Sequence, residues 1–139
     1  MGCGYGCIGI VLAKEYNLTL TQVDINPRAL RLTKENATLN NVISNVIESD
    51  GFNGLYTTQQ LDRLYDTIAI NPPIHAGKAV VFSMYENSFN YLKRNGCLYV
   101  VIYKKHGALS TIKHLDKIFG ECRILYKKKG IFVLGCIKR

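Results

Sequence analysis

Two adjacent prolines, Pro72 and Pro73, follow closely on the apolar run Tyr65-Asp-Thr-Ile-Ala-Ile70. This junction constrains the fold more than any other feature of the chain. The run reads as a buried strand, and the prolines fix φ and stiffen the loop that leaves it. Upstream, two more strand-like runs end in acids, Asp24 and Asp50. The chain opens on a glycine-rich turn, Gly2-Cys-Gly-Tyr-Gly6. Segments of helical character separate these runs, and that alternation implies an α/β sandwich with a mostly parallel sheet.

The intervening segments support the reading. Cys7 to Tyr16 reads as a helix packed on a sheet, and Thr19 to Asp24 alternates like a strand. Asn26-Pro27 opens a second helix, with asparagine as N-cap and proline at the first helical position. Leu30, Ala37 and Leu39 carry its helical spacing as far as the turn at Asn40-Asn41. Val46 to Asp50 is the next predicted strand, followed by a Gly/Asn/Gln-rich connection through Gln60. Past the prolines a helix is predicted from about Ala79 to Leu92. A turn at Asn95-Gly96 and a strand from Cys97 to Tyr103 follow. A last helix covers roughly Leu109 to Phe119, and a hairpin pairs Arg123–Tyr126 with Ile131–Leu134. No repeat or linker interrupts the order, so residues 1–139 are expected to form one domain.

Composition bounds the function classes. With 47% hydrophobic residues the chain can bury a core and is not a disordered polymer. Its apolar run Cys97 to Tyr103 is far too short to span a bilayer. No basic stretch leads into an apolar core at the N-terminus, so no signal peptide is expected. The five cysteines show no CxxC pair or metal-ligand spacing, which suits a reducing cytoplasm and predicts no metal site. Charge is strongly segregated. Residues 1–92 hold six Lys/Arg against eight acids, a net of −2, while residues 93–139 hold twelve against two, a net of +10. Such a field suits a polyanion, most simply RNA, or a solvated basic surface.

The glycines, acids and prolines can be read as chemistry. Gly2, Gly4 and Gly6 would let backbone approach a ligand closely, and the following helix start offers N–H groups to an anion. Gly4, Gly6 and Gly9 also match the dinucleotide spacing G-x-G-x-x-G, so a nicotinamide-dependent oxidoreductase is an alternative. Asp24 at a strand end is placed to accept from ribose hydroxyls, and Asp50 could accept from an adenine amino group. At Asn71-Pro72-Pro73 an amide side chain and a backbone carbonyl could hold both N–H bonds of an amino nitrogen. Its lone pair is otherwise delocalised into a base or amide; positioning aims it at an electrophile.

Five segments carry a family resemblance: Gly2-Cys-Gly-Tyr-Gly-Cys-Ile-Gly-Ile, Asp24-Ile-Asn-Pro-Arg-Ala-Leu, Glu35-Asn-Ala, Asn71-Pro-Pro-Ile-His-Ala-Gly-Lys78 and Lys104-Lys-His-Gly-Ala108. Together they resemble the small-domain class I S-adenosylmethionine-dependent methyltransferases, nearest to the bacterial small-subunit ribosomal RNA guanine-N2 group. That resemblance implies a Rossmann-like, seven-stranded, mostly parallel sheet closing on a reversed C-terminal hairpin. It implies S-adenosyl-L-methionine as methyl donor and a guanine amino group of ribosomal RNA as acceptor. Residue by residue, Gly2, Gly4 and Gly6 would line the cofactor, Asp24 the ribose and Asp50 the adenine. Asn71, Pro72 and Pro73 would form the target clamp, with Asn71 also beside the cofactor.

Two departures from the family pattern follow. Its first strand, with an acid before the glycines, is expected to be missing, since Met1 alone precedes the turn. An inactive RNA-binding remnant is therefore a third alternative. Ile74 stands where many amino-methylating relatives carry an aromatic ring, which leans towards guanine N2 over adenine N6 or protein glutamine N5. Ile74, His75, Lys78, Lys104 and Lys105 are candidates for substrate contact, with Lys127, Lys128 and Lys129 extending an RNA-facing rim.

Overall fold

The computed structural model describes residues 1–56 and 64–139, so the latter part of the predicted Gly/Asn/Gln-rich connection lies outside the described residues. The chain folds as two compact units, Met1–Leu61 and Asp62–Arg139.

In the first unit the glycine turn leads into α1 (Cys7–Tyr16), then β1 (Leu20–Asp24), α2 (Pro27–Leu39) and β2 (Ser44–Glu48). Strands β1 and β2 pair in parallel, with Asp24 opposite Glu48. The second helix begins as its sequence dictates: Asn26 caps it by accepting from Arg28 N–H, with proline following at the first position. Its buried stripe is Leu30, Thr33 and Ala37, spaced i, i+3, i+7. The predicted strand Val46–Asp50 shifts two residues earlier, because Ser49 leaves the ladder to fold a tight turn. Ser49 Oγ accepts from Gly54 N–H at 2.7 Å and donates to Gly51 C=O at 2.9 Å. Phe52 and Leu55 then bury beneath that turn.

The second unit holds β3 (Tyr65–Ile70), α3 (Lys78–Tyr91), β4 (Leu92–Tyr103), α4 (Ala108–Phe119), β5 (Cys122–Lys128) and β6 (Ile131–Ile137). Its sheet runs β3-β4-β6-β5, with β3 parallel to β4 and the last two strands antiparallel. Leu98, Val100 and Leu134 are fully buried, as are Leu115 and Ala108 of α4. Together they make an aliphatic core. The strand β3 is less buried than its composition predicts: Asp66 and Thr67 are exposed, and only Ile68 and Ile70 are buried.

Asn95 and Gly96 were expected to form a turn ahead of the strand, and α3 was expected to include Leu92. Both instead lie inside β4, whose Leu92 pairs with Tyr65. Asn95 adopts φ 65°, and the ladder register slips between Tyr65 and Thr67, so the residues that look like a turn form an irregularity within the strand. Asn95 N–H donates to Lys138 C=O at 2.6 Å, and Lys138 N–H donates to Gly96 C=O at 2.9 Å. Only glycine fits at position 96, where a Cβ would come within 2.9 Å of Lys93 C=O. Six strands are described, against seven for the family.

Candidate functional site

The alternating glycines of the first turn have a common cause. Gly2, Gly4 and Gly6 hold φ of 64°, 57° and 87°, a left-handed backbone that residues with a Cβ rarely adopt. The turn closes on itself through Gly6 N–H donating to Cys3 C=O at 2.8 Å. It is anchored to β1 by Cys3 N–H donating to Val23 C=O at 2.9 Å.

Asp24 fixes the turn from the end of β1. Gly4 N–H donates to its Oδ2 at 2.8 Å, and Asn26 N–H donates to its Oδ1 at 2.9 Å. Each carboxylate oxygen so engaged keeps lone-pair capacity for one further donor. Helix α2 holds the other side: Thr33 Oγ1 donates to Gly4 C=O at 2.8 Å, and Asn36 Nδ2 donates to Tyr5 C=O at 2.8 Å. Thr33 was not singled out in the sequence, and Asn36 only as part of the segment Glu35-Asn-Ala. The available signal was a polar residue, Thr33, on the buried stripe between Leu30 and Ala37. Cys3 Sγ lies 3.5 Å from Thr33 Oγ1, and burial pushes its thiol pKa up.

The surface offered by this turn suits an anionic ligand. Gly6 caps α1 without any side-chain hydrogen bond, and among the described residues no side chain accepts from the first-turn N–H groups. Among the described residues nothing lies within 4 Å of where a Cβ on Gly4 would stand. Gly9 behaves differently. A Cβ there would meet Gln22 Oε1 at 2.7 Å and Leu20 Cδ1 at 3.0 Å, so Gly9 lets α1 pack against β1. Helix packing thus accounts for the third glycine of the dinucleotide-like spacing.

Asp50 lies in the turn after β2, two residues beyond Glu48, and its side chain is exposed. The turn is tied to its neighbour by Ser49 N–H donating to Asp24 C=O at 3.0 Å. Asp24 thus ends β1, whereas Asp50, expected to end the next strand, lies in the turn two residues past the end of β2.

In the second unit the prolines leave β3 as a stiff loop running into a short 3-10 turn, Ile74–Ala76. Pro73 C=O is taken by Ala76 N–H at 2.9 Å. Among the described residues no hydrogen bond engages Pro72 C=O or the exposed Asn71 amide. Ile74 is half-buried, while His75 and Lys78 are exposed, with Lys78 Nζ 5.1 Å from the Phe82 ring centre. Lys104 and Lys105 sit in another 3-10 turn, Lys104–His106, directly after β4. Lys104 N–H donates to Gly130 C=O at 2.7 Å, which brings this turn beside Lys129 of the β5–β6 loop, with Lys127 and Lys128 closing β5. Among the described residues no group of His, Cys, Asp and Glu could hold a metal ion, and no helix is long and apolar enough to cross a membrane.

Residues 1–135 match the model of the methyltransferase small domain family, and the match runs through both units. YbxB of Bacillus subtilis, an uncharacterised protein, is 40% identical over 99% of this chain and 68% of its own length. A putative protein N5-glutamine methyltransferase of Methanocaldococcus jannaschii is 30% identical over 95% of the chain and 74% of its own. Ribosomal RNA small subunit methyltransferase C of Psychromonas ingrahamii is 32% identical over 99% of this chain but 38% of that protein. Among solved structures, a T. thermophilus 16S rRNA N2 methyltransferase in complex with AdoMet and guanosine superposes with a TM-score of 0.84. It is 23% identical and covers 100% of this chain and 36% of that one. The fold is thus Rossmann-like, parallel strands followed by an antiparallel C-terminal pair.

Proposed function

Because this chain belongs to the methyltransferase small domain family, S-adenosylmethionine-dependent enzymes, we propose that it methylates an exocyclic amino nitrogen, guanine N2 of ribosomal RNA. The observation carrying this reading is the Asn71-Pro72 pair of unused acceptors, an amide oxygen and a carbonyl, on a proline-stiffened loop. Two fixed acceptors can take both N–H bonds of an amino group and leave its lone pair directed at a methyl carbon.

The first unit's residues fit the methyl donor. Gly2, Gly4 and Gly6 leave backbone bare, with open space over Gly4, and the uncapped start of α1 suits the donor's carboxylate. Asp24 would accept from the ribose hydroxyls with the capacity its two backbone donors leave, and Asp50 from the adenine amino group. S-adenosylmethionine supplies a methyl group activated by a sulfonium, and the transfer needs no metal. The chain's own task is to orient the acceptor and exclude competing water.

Ribosomal RNA is favoured by the +10 net charge of residues 93–139 and by the names of two similar proteins. Ile74, His75, Lys78, Lys104 and Lys105 would contact the target nucleotide, which must leave its stack to be reached. Protein glutamine N5 is the second reading, since the M. jannaschii relative bears that name and an amide nitrogen poses the same lone-pair problem. Incubating the protein with labelled methyl donor and ribosomal particles separates the two. Label in N2-methylguanosine after nuclease digestion is the expected result, and label confined to protein would overturn the RNA assignment.

A further inference from the structure

Two cysteines that the methyl-transfer reading does not use face each other inside the C-terminal hairpin. Cys122 opens β5, Cys136 lies near the end of β6, and the antiparallel ladder sets them directly opposite one another. Among the described residues no other two cysteines are ladder partners. The kind of pair they make follows from the other side of β6. Lys138 N–H donates to Gly96 C=O and Lys104 N–H to Gly130 C=O, at the two ends of an unbroken β4–β6 register. Between those ends every second pair shares hydrogen bonds, so Cys136 turns its N–H and C=O towards Leu98 of β4. Its pairing with Cys122 is therefore the non-hydrogen-bonded kind, in which Cα atoms stand only about 4.5 Å apart. That falls inside the roughly 4.4–6.8 Å that a disulfide spans.

The two side chains meet. Their thiols hydrogen-bond to one another, with Cys136 S–H donating, which lowers the pKa of Cys122 and raises that of Cys136. Cys136 is 2% exposed, whereas Cys122 is half-buried, so an outside reagent reaches Cys122 first. The more accessible thiol is thus also the readier thiolate. Cys122 is held from the preceding helix as well, its N–H donating to Asp116 Oδ1 at 2.7 Å. Cys97 does not compete for either partner. It adjoins the fully buried Leu98 and pairs with Ile137, so its side chain leaves the opposite face of the sheet.

We infer that Cys122 and Cys136 are a modification site, a dithiol that closes reversibly to a cross-strand disulfide on meeting a small-molecule disulfide. The Cys122 thiolate, its proton already given to water, bonds to one sulfur of the oxidant and expels the other as a thiolate. Cys136 then attacks the Cys122 sulfur, passing its proton to that first thiolate, and the second thiolate leaves and takes a proton from water. Two protein thiols are oxidised and one disulfide is reduced to two thiols. The bridge ties the open end of a hairpin whose other end is closed by its own turn, and the ladder already holds the partners in place. Where thiols are kept reduced, a bridge of this kind is transient and responds to oxidant. The inference stands apart from the methyl-transfer reading, because it is measured with neither methyl donor nor acceptor present.

The test equilibrates the reduced full chain with mixtures of reduced and oxidised glutathione, traps free thiols by alkylation and maps the peptides by mass spectrometry. A peptide cross-linked through Cys122 and Cys136, lighter by two hydrogens than its reduced parts, is expected, and dithiothreitol should abolish it. Cys136→Ala should stop at a glutathione adduct on Cys122, and Cys97→Ala should leave the cross-link at its parental level. In urea the unfolding constant of the oxidised chain should be about 10²-fold below that of the reduced one, as closing a loop of this length predicts. The map of the unsubstituted chain decides the matter even where an alanine variant fails to fold. Glutathione held on Cys122 with no cross-link at any ratio would overturn the inference. So would a cross-link joining Cys97 to either partner, one that forms only in urea, or an oxidised chain that unfolds more easily than the reduced one.

Discussion

Thr33 Oγ1 donates to Gly4 C=O across 2.8 Å, so a fully buried side chain of α2 fixes the carbonyl of the residue whose N–H is held by Asp24. Both ends of the Gly4 peptide environment are thereby set by side chains distant in sequence, which orients the open space above it before any ligand arrives.

Thr33→Val keeps the shape of this side chain and removes its donor. The change should cost about 1–3 kcal/mol, because Gly4 C=O loses a buried partner. Thr33→Ser should retain most of the stability and most of the S-adenosylmethionine affinity. Urea unfolding and calorimetric titration measure the two, and a stable Thr33→Val protein that binds the donor normally would contradict this role.

Gly4 and Gly9 should fail differently when replaced by alanine. At Gly9 the new Cβ would press on Gln22 and Leu20, and Gln22 is itself buried, so a loss of about 1–3 kcal/mol in stability is expected. At Gly4 the neighbourhood is empty and only the φ of 57° resists, about 1–2 kcal/mol. Its larger effect should be on donor binding, since the methyl group would stand in the ligand's space. Thermal denaturation paired with titration distinguishes them; a Gly4→Ala chain with full donor affinity would move the cofactor elsewhere.

Asn71→Ala should separate chemistry from cofactor binding. Removing one of two positioned acceptors is expected to slow transfer on the order of 10²-fold, with donor affinity nearly unchanged. Asp24→Ala should instead weaken donor binding and loosen the turn, because Gly4 and Asn26 N–H both lose their acceptor. Single-turnover rates and titrations on the two variants provide the comparison. Parental rates in Asn71→Ala would remove the main support for the clamp.

Acid stability should depend on Lys93. Its ammonium donates to both oxygens of Asp66 at 2.9 Å and holds that carboxyl below its ordinary pKa. A carboxyl depressed in the folded state contributes stability above its unfolded pKa and loses it as pH falls through the folded value. The wild-type chain should therefore lose more stability below about pH 4 than Lys93→Ala does. Both groups are exposed, so the difference should be small and should vanish in high salt. Identical acid limbs for the two proteins at low salt would refute the assignment.

Much of the fold was legible because local signals agreed. Asn26-Pro27 named the start of α2, the cysteine-to-tyrosine run gave α1 to the residue, and two apolar runs placed the β5–β6 hairpin, although β5 runs on through Lys127 and Lys128. Asn95-Gly96 misled because the dipeptide encodes a left-handed backbone, which an irregularity within a strand uses as readily as a turn. At the site, the glycines lead into a helix start and Asp24 ends a strand, both of which are local signals, whereas Asp50 falls in the turn beyond β2. Thr33 and Asn36 could not be placed, since their partners Gly4 and Tyr5 lie 29 and 31 residues away and only the folded unit brings them together.

The strand order β3-β4-β6-β5 has a consequence for how the protein is made. Strand β5 is synthesised before β6 yet reaches the sheet only by pairing with it, so residues 122–128 emerge from a ribosome without a partner. At roughly 5–20 residues per second the wait is under about two seconds. During it the free edge of β4 and the apolar Ile124 and Leu125 stand open together. A nascent chain stalled just before Ile131 would hold an unpaired strand beside an unpaired edge, the species most exposed to pairing with another chain.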